Sequence, residues 1–198
     1  MTYSLCILGV VLIFTWVLAP GAPQWATAGA VVLVLGLAVW RAVRTGEWGV
    51  RRRAFRGALG WSAAMTAAGT LGIYLAGSRL GTWHDRRDLW INLAELIPWG
   101  LGQQFALHTV FLREAQATVG RPGGVLLAAL MFAILHLPNP FLTAMTGLGA
   151  IAWCWIYDRH PNLLPLALSH ALLTLAILYA FDDAMTGRLR IGAGYLAR

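Results

Sequence analysis

Long apolar runs separated by short polar loops dominate this sequence. A helix needs about 20 mostly apolar residues to cross a bilayer. Seven runs of 13 to 23 residues are candidate spans, at residues 5–19, 25–40, 57–76, 89–111, 125–137, 141–157 and 163–181. In lipid every backbone polar group must be satisfied within the protein. The pattern therefore predicts an all-α fold, a polytopic membrane helix bundle of about seven transmembrane helices.

The composition agrees with a membrane setting. Charged residues make up 12% of the chain, whereas a soluble domain carries about 25%. No repeat and no long linker interrupts the 198 residues, so we expect a single integral membrane domain over residues 1–198. No Lys or Arg precedes the first apolar run, so we expect that run to be retained rather than removed as a signal peptide.

The basic charge lies close to the apolar runs. All fifteen basic residues are arginines, and six of them fall between Arg41 and Arg56. This placement favours a cytoplasmic loop beside anionic lipid headgroups, and it argues against nucleic acid as a partner. The lipid bilayer is therefore the expected partner. Abundant arginine, alanine and glycine indicate a bacterial source, so we expect a bacterial inner membrane.

A few polar side chains interrupt three of the apolar runs. They are Gln103, Gln104, His108, His136, His170 and Thr174. Polar groups in hydrocarbon are costly, tend to face the bundle interior, and often mark function. Gln104 and His108 are four residues apart and share a helix face, as do His170 and Thr174. The pattern predicts one interior site shared by these residues.

The residue types leave the chemistry of this site open. His108, His136 and His170 could together hold a divalent metal such as zinc, because neutral imidazole is a common ligand. They could equally polarise a water or a carbonyl. A single His or Gln in a membrane helix is often only a hydrogen-bond partner for a neighbouring helix. Three polar clusters at similar depth favour a functional site.

At these residues the chain resembles the CPBP family, also called the type II CAAX prenyl endopeptidase or Abi family. That family carries Glu-Glu-x-x-x-Arg, Phe-x-x-x-His and His-x-x-x-Asn/Asp on separate membrane helices. The matching segments begin at Gln103, Phe132 and His170, and the resemblance covers about residues 90–180. It implies a CPBP-protease-like bundle that acts on membrane-associated peptides or proteins. In the family, the first Glu and the second-motif His are thought to activate water, and the third-motif residues are thought to hold the oxyanion.

The first motif departs from the family pattern. Gln103 stands where the resemblance places the general base, and a neutral amide cannot accept a proton. Gln104 and His108 replace the Glu–Arg pair. Among the eight acidic residues we weigh four as replacements, Glu95, Glu114, Asp182 and Asp183. Glu95 is the best of these candidates, and none is an obvious replacement. Two functions follow: an intramembrane endopeptidase homologue with an altered catalytic site, or an inactive pseudoprotease that binds a membrane partner.

Overall fold

The structure is a computed structural model that describes residues 1–84 and 88–197. Seven helices of 12 residues or more account for most of it: α1 Thr2–Ile13, α2 Gln24–Thr45, α3 Phe55–Leu80, α4 Leu89–Phe105, α5 Arg113–Ile134, α6 Pro140–Arg159 and α7 Leu163–Ala180. Two short helices follow, α8 Asp183–Thr186 and α9 Ala193–Leu196. Within the described residues there is no strand, only an isolated bridge between Val50 and Asn162. The predicted all-α fold is confirmed.

Five helical stretches in the described part of the chain are long and apolar enough to cross a membrane. They are Thr2–Gly21, Trp25–Thr45, Leu89–Ile134, Pro140–Arg159 and Leu163–Ala180. The chain is therefore an integral membrane protein. The run predicted at residues 57–76 does form α3, but α3 is not one of the five. Its many Gly, Ala, Ser and Thr residues are only weakly apolar, although they permit close helix approach.

The fourth and fifth predicted runs differ from expectation at their boundaries. A π-helical segment, Ala106–Leu112, joins α4 to α5 without a loop. The break falls instead at Gly120, whose φ of 78° and ψ of 174° are not helical. The predicted run 125–137 also extended too far, because α5 ends at Ile134 and a turn follows. His136 lies in that turn.

The chain divides into two compact units. The first unit comprises Met1–Trp48, Phe105–Cys154 and Leu189–Arg198, and the second comprises Gly49–Gln104 and Trp155–Arg188. The single domain expected from the sequence stays a prediction.

A buried ion pair connects three helices of the first unit. Glu114 at the start of α5 lies 3.7 Å from the Nε of Arg41 on α2. The same carboxylate accepts hydrogen bonds from the backbone N–H of Ser4 at 2.9 Å and from its hydroxyl at 2.8 Å. A carboxylate is favourable at the N-terminus of α1, because the first N–H groups of a helix have no intrahelical partner. Arg41 also donates to the carbonyl of Thr109 in the π-helical segment.

Small residues let the helices of the second unit pack closely. A Cβ added at Gly69 of α3 would lie 2.7 Å from the side chain of Leu173 on α7, and one at Gly77 would lie 2.6 Å from the carbonyl of Ala180. The hydroxyl of Thr66 donates to that of Ser169 at 2.7 Å. These contacts fix α7, the helix that carries His170.

Candidate functional site

His108 lies in the first unit, inside the π-helical segment. Its side chain is fully buried, and all seven residues of the segment are buried. Single π-helical turns within α-helices are frequent at functional sites. The prediction that His108 faces an interior is therefore consistent with its position.

His136, also in the first unit, is buried and held by its own motif partner. Its Nδ1 lies 2.8 Å from the carbonyl oxygen of Phe132. The two rings meet edge to face, with centroids 5.0 Å apart. Because a carbonyl oxygen can only accept, Nδ1 must carry the proton and Nε2 keeps the lone pair. Burial lowers the pKa of this imidazole, which lies in the turn between two candidate spans, to about 4.

Asn139 holds the turn that contains His136. Its side chain is fully buried. Its Oδ1 accepts from the backbone N–H of Leu142 at 3.0 Å, which caps α6, and its Nδ2 donates to the carbonyl of Arg190 at 3.1 Å. Gly192 of the same tail segment donates to the carbonyl of Leu137 at 2.8 Å. Sequence reasoning missed this residue, although Asn directly before a helix is a strong capping signal.

In the second unit, Gln104 of α4 contacts His170 of α7. The amide Nε2 of Gln104 lies 3.1 Å from the Nδ1 of His170, and both side chains are buried. An amide nitrogen can only donate, so Nδ1 accepts and the neutral ring carries its proton on Nε2. Gly100 allows this approach, since a Cβ there would lie 3.1 Å from the carbonyl of Ala167 on α7.

The remaining predicted site residues also lie in the second unit. Gln103 is half-buried, and its Oε1 has no hydrogen-bond partner among the described residues. Thr174 is half-buried, one helical turn beyond His170. The structure thus brings Gln104 to His170 and Phe132 to His136. A site shared by all six residues stays a prediction, because its members belong to both units.

The carboxylates weighed as substitute bases have other positions or partners. Glu95 is exposed on α4, unlike the buried Gln104. Asp182 accepts from the backbone N–H of Met185 at 2.8 Å, and Asp183 lies 3.3 Å from Arg188. Glu114 is buried but is bonded to Ser4 and paired with Arg41, as described above. None of these four carboxylates is therefore placed as a ready general base.

A metal site is not evident within the described residues. No group of three or more His, Cys, Asp or Glu side chains there could hold a metal ion. The zinc site predicted at His108, His136 and His170 stays a prediction.

The helical membrane fold and its buried histidines define a polytopic membrane protein with polar side chains among its buried residues. A family model described as type II CAAX prenyl endopeptidase Rce1-like matches residues 54–176, more than half of the chain. The chain therefore belongs to this family, the CPBP family, as its motifs predicted. The matched region contains all three motif segments. No curated protein and no solved structure matches the chain.

Proposed function

We propose that the chain is an endopeptidase homologue that cleaves membrane-associated peptides or proteins in a bacterial inner membrane, with an altered catalytic site. Family membership supports the reaction class. The observation that carries the rest of the proposal is the different Nδ1 partner of two buried histidines, a backbone carbonyl at His136 and a side-chain amide nitrogen at His170. These partners leave the lone pair on the Nε2 of His136 and the proton on the Nε2 of His170. One is suited to accept a proton and the other to donate a hydrogen bond.

The proposed reaction takes as its premise the shared site that the three motifs predict, and His136 is its general base. Its Nε2 takes a proton from water as the water oxygen bonds to the scissile carbonyl carbon. The carbonyl oxygen becomes an oxyanion, which accepts a hydrogen bond from the Nε2–H of His170, aided by the hydroxyl of Thr174. As the C–N bond breaks, protonated His136 returns the proton to the leaving amine nitrogen. The products are a carboxylic acid and an amine.

Gln104 is a positioning residue in this scheme. Its side-chain N–H donates a hydrogen bond to the Nδ1 of His170. This bond keeps the ring proton on Nε2, the nitrogen that donates to the oxyanion in the proposed reaction. Gln103 cannot assist His136 as the family's first-motif Glu is thought to do, because a neutral amide does not accept protons. His136 therefore acts as the base without a carboxylate partner, and we expect slow turnover by the present chain.

The pseudoprotease remains the second candidate, and the placement of the carboxylates favours it. Glu95 is exposed, and Glu114 is bonded to Ser4 and paired with Arg41. Gln104 and His170 would then bind a peptide or partner without cutting it. The two functions differ in whether any substrate is turned over.

Turnover of a membrane-peptide panel by the full chain in nanodiscs separates the two functions. We expect slow cleavage by the wild type, loss of cleavage in His136→Ala, and faster cleavage in Gln103→Glu. His84→Ala is a matched control, because His84 lies in a loop and its ring Nδ1 lies 3.0 Å from the nearby Thr82 carbonyl oxygen. A wild type and a Gln103→Glu variant that both bind peptide without cutting it would overturn the enzyme and support the pseudoprotease. Elemental analysis of the same preparation tests the predicted zinc.

A further inference from the structure

A cluster of exposed arginines lies at one end of the second unit. Its members are Arg51, Arg52, Arg53, Arg56 and Arg159, here called the arginine patch. Four belong to the turn and first residues that lead into α3, and the fifth ends α6. The patch thus lies where α3 begins and where α6, a candidate membrane span, ends.

Hydrogen bonds to backbone carbonyls hold the two halves of the arginine patch together. The backbone N–H of Arg51 donates to the carbonyl of Pro161 at 3.0 Å, and the side-chain Nδ2 of Asn162 donates to the carbonyl of Arg51 at 3.2 Å. Leu163 donates to the carbonyl of Gly49 at 2.8 Å. The guanidinium groups therefore project from a fixed platform rather than from two independent loops.

The charge of the arginine patch is nearly all positive. Within the described residues of the second unit, Asp158 directly precedes Arg159 and is half-buried. Glu47, four residues before Arg51, belongs to the first unit and pairs with Arg113 at 3.3 Å. The sequence from residue 48 to residue 84 contains no Asp or Glu. α3 and α7 both begin at this platform and run away from it, so Asp182 and Asp183 lie beyond the far end of α7. Five arginines against one aspartate leave an unbalanced basic surface.

Aromatic rings flank the same surface. The guanidinium carbon of Arg159 lies 3.8 Å from the centroid of the Trp155 ring, and this arginine also donates to the Trp155 carbonyl at 3.1 Å. Trp61 packs edge-on against Trp155 at 5.2 Å, and both rings are exposed. Tryptophan is enriched at the headgroup level of membranes. The flank therefore indicates the depth at which lipid phosphates lie.

We propose that the arginine patch binds the phosphate of an anionic phospholipid such as phosphatidylglycerol. Guanidinium groups carry the charge opposite to that of phosphate, and they can donate two parallel hydrogen bonds to its oxygens. The bilayer is the source of that phosphate, because the platform joins α6 and α7, which are both candidate spans. This binding site is independent of the catalytic proposal.

Lipid retention by the full chain tests this site. The chain is reconstituted in nanodiscs of phosphatidylcholine containing phosphatidylglycerol, and the lipid that stays bound is identified by native mass spectrometry. We expect the wild type to retain phosphatidylglycerol over phosphatidylcholine. Each arginine near a membrane surface contributes about fivefold in affinity, so Arg52→Gln/Arg53→Gln/Arg56→Gln should lower the preference about 100-fold. The preference should also weaken as salt rises, because exposed charges are screened.

A second triple variant controls for net charge. Arg79→Gln/Arg188→Gln/Arg190→Gln removes the same charge from exposed positions outside the arginine patch and should keep the preference. An equal loss of lipid preference in both triple variants would show that net charge alone causes the preference, and it would overturn the proposed binding site. Lack of preference in the wild type would overturn it as well. Binding of inorganic phosphate without lipid, as tight as that of phosphatidylglycerol, would assign the patch to soluble anions instead.

Discussion

His136 and His170 are both buried motif histidines, yet their Nδ1 atoms have opposite partners. The Nδ1 of His136 faces the backbone carbonyl of Phe132, four residues earlier in the same chain segment. The Nδ1 of His170 faces the side-chain amide of Gln104, from a different helix. The first partner accepts and the second donates, so the rings are protonated on different nitrogens. In the proposed reaction, the partner of Nδ1 therefore decides the role of each histidine. The partner of His136 is a backbone carbonyl, so only the partner of His170 can be removed by substitution.

Removal of either ring should have the largest effect. We expect His136→Ala and His170→Ala each to lower kcat/KM for a membrane peptide by about 10²–10⁴-fold, since one removes the base and the other an oxyanion donor. The double variant should be hardly worse than the single ones, because groups that act as a unit are not additive. Turnover by the three variants checks this. Retention of full turnover after loss of either ring would end the proposed division of roles.

Disruption of the Gln104 contact should have an intermediate effect. In Gln104→Leu, the buried Nδ1 of His170 loses its donor, and we expect the free energy of unfolding to fall by about 1–3 kcal/mol. The matched control is Gln103→Leu on the same helix, where the amide is half-buried and its oxygen accepts no hydrogen bond from the described residues. Thermal unfolding in detergent compares the two variants. Equal destabilisation of the two variants would show that the Gln104–His170 hydrogen bond does not contribute measurably to the free energy of unfolding.

Enlargement of Gly100 should weaken the same contact indirectly. In Gly100→Ala the added methyl group would lie 3.1 Å from the Ala167 carbonyl and 3.7 Å from the Cβ of His170. Overpacking commonly costs about 1–3 kcal/mol, which a gain in helix propensity of about 1 kcal/mol partly offsets. Gly60→Ala on α3 is the control, because an added Cβ there meets nothing within 4 Å. We expect a lower unfolding midpoint for Gly100→Ala alone, and a midpoint at or above that of Gly60→Ala would contradict tight packing of α4 on α7.

Much of the fold follows from hydropathy, because each long helix needs its own apolar run. The boundaries were harder to predict: residues 106–112 widen into a π-helix, and the break falls at Gly120 rather than in a polar loop. The candidate residues could be named from motif spacing. Their partners could not, since Gln104 meets His170 across 66 positions and Glu114 meets Ser4 across 110. Such contacts depend on tertiary packing through small residues such as Gly100.

The smallest expected effect is the change of kcat/KM with pH over the physiological range. The pKa of His136 is lowered to about 4 by burial, so the neutral base is present at higher pH and is lost as pH falls through that value. We therefore expect kcat/KM to stay level from about pH 8 down to about pH 5.5 and to fall only below about pH 5, whereas a histidine with an ordinary pKa titrates near 6.5. A pH–rate profile on acid-stable detergent micelles checks this. An acidic limb centred near 6.5 would contradict a desolvated His136.

Nitrogen NMR of the imidazole rings tests the division of roles most directly. The full chain is labelled with ¹⁵N-histidine in nanodiscs at neutral pH, and the signals are assigned by comparison with His136→Asn and His170→Asn variants. We predict that His136 carries its proton on Nδ1 and His170 on Nε2, and that Gln104→Leu changes the His170 signals alone. Two results would contradict opposite roles for the two histidines: the same tautomer in both rings, or His170 signals that do not change in Gln104→Leu.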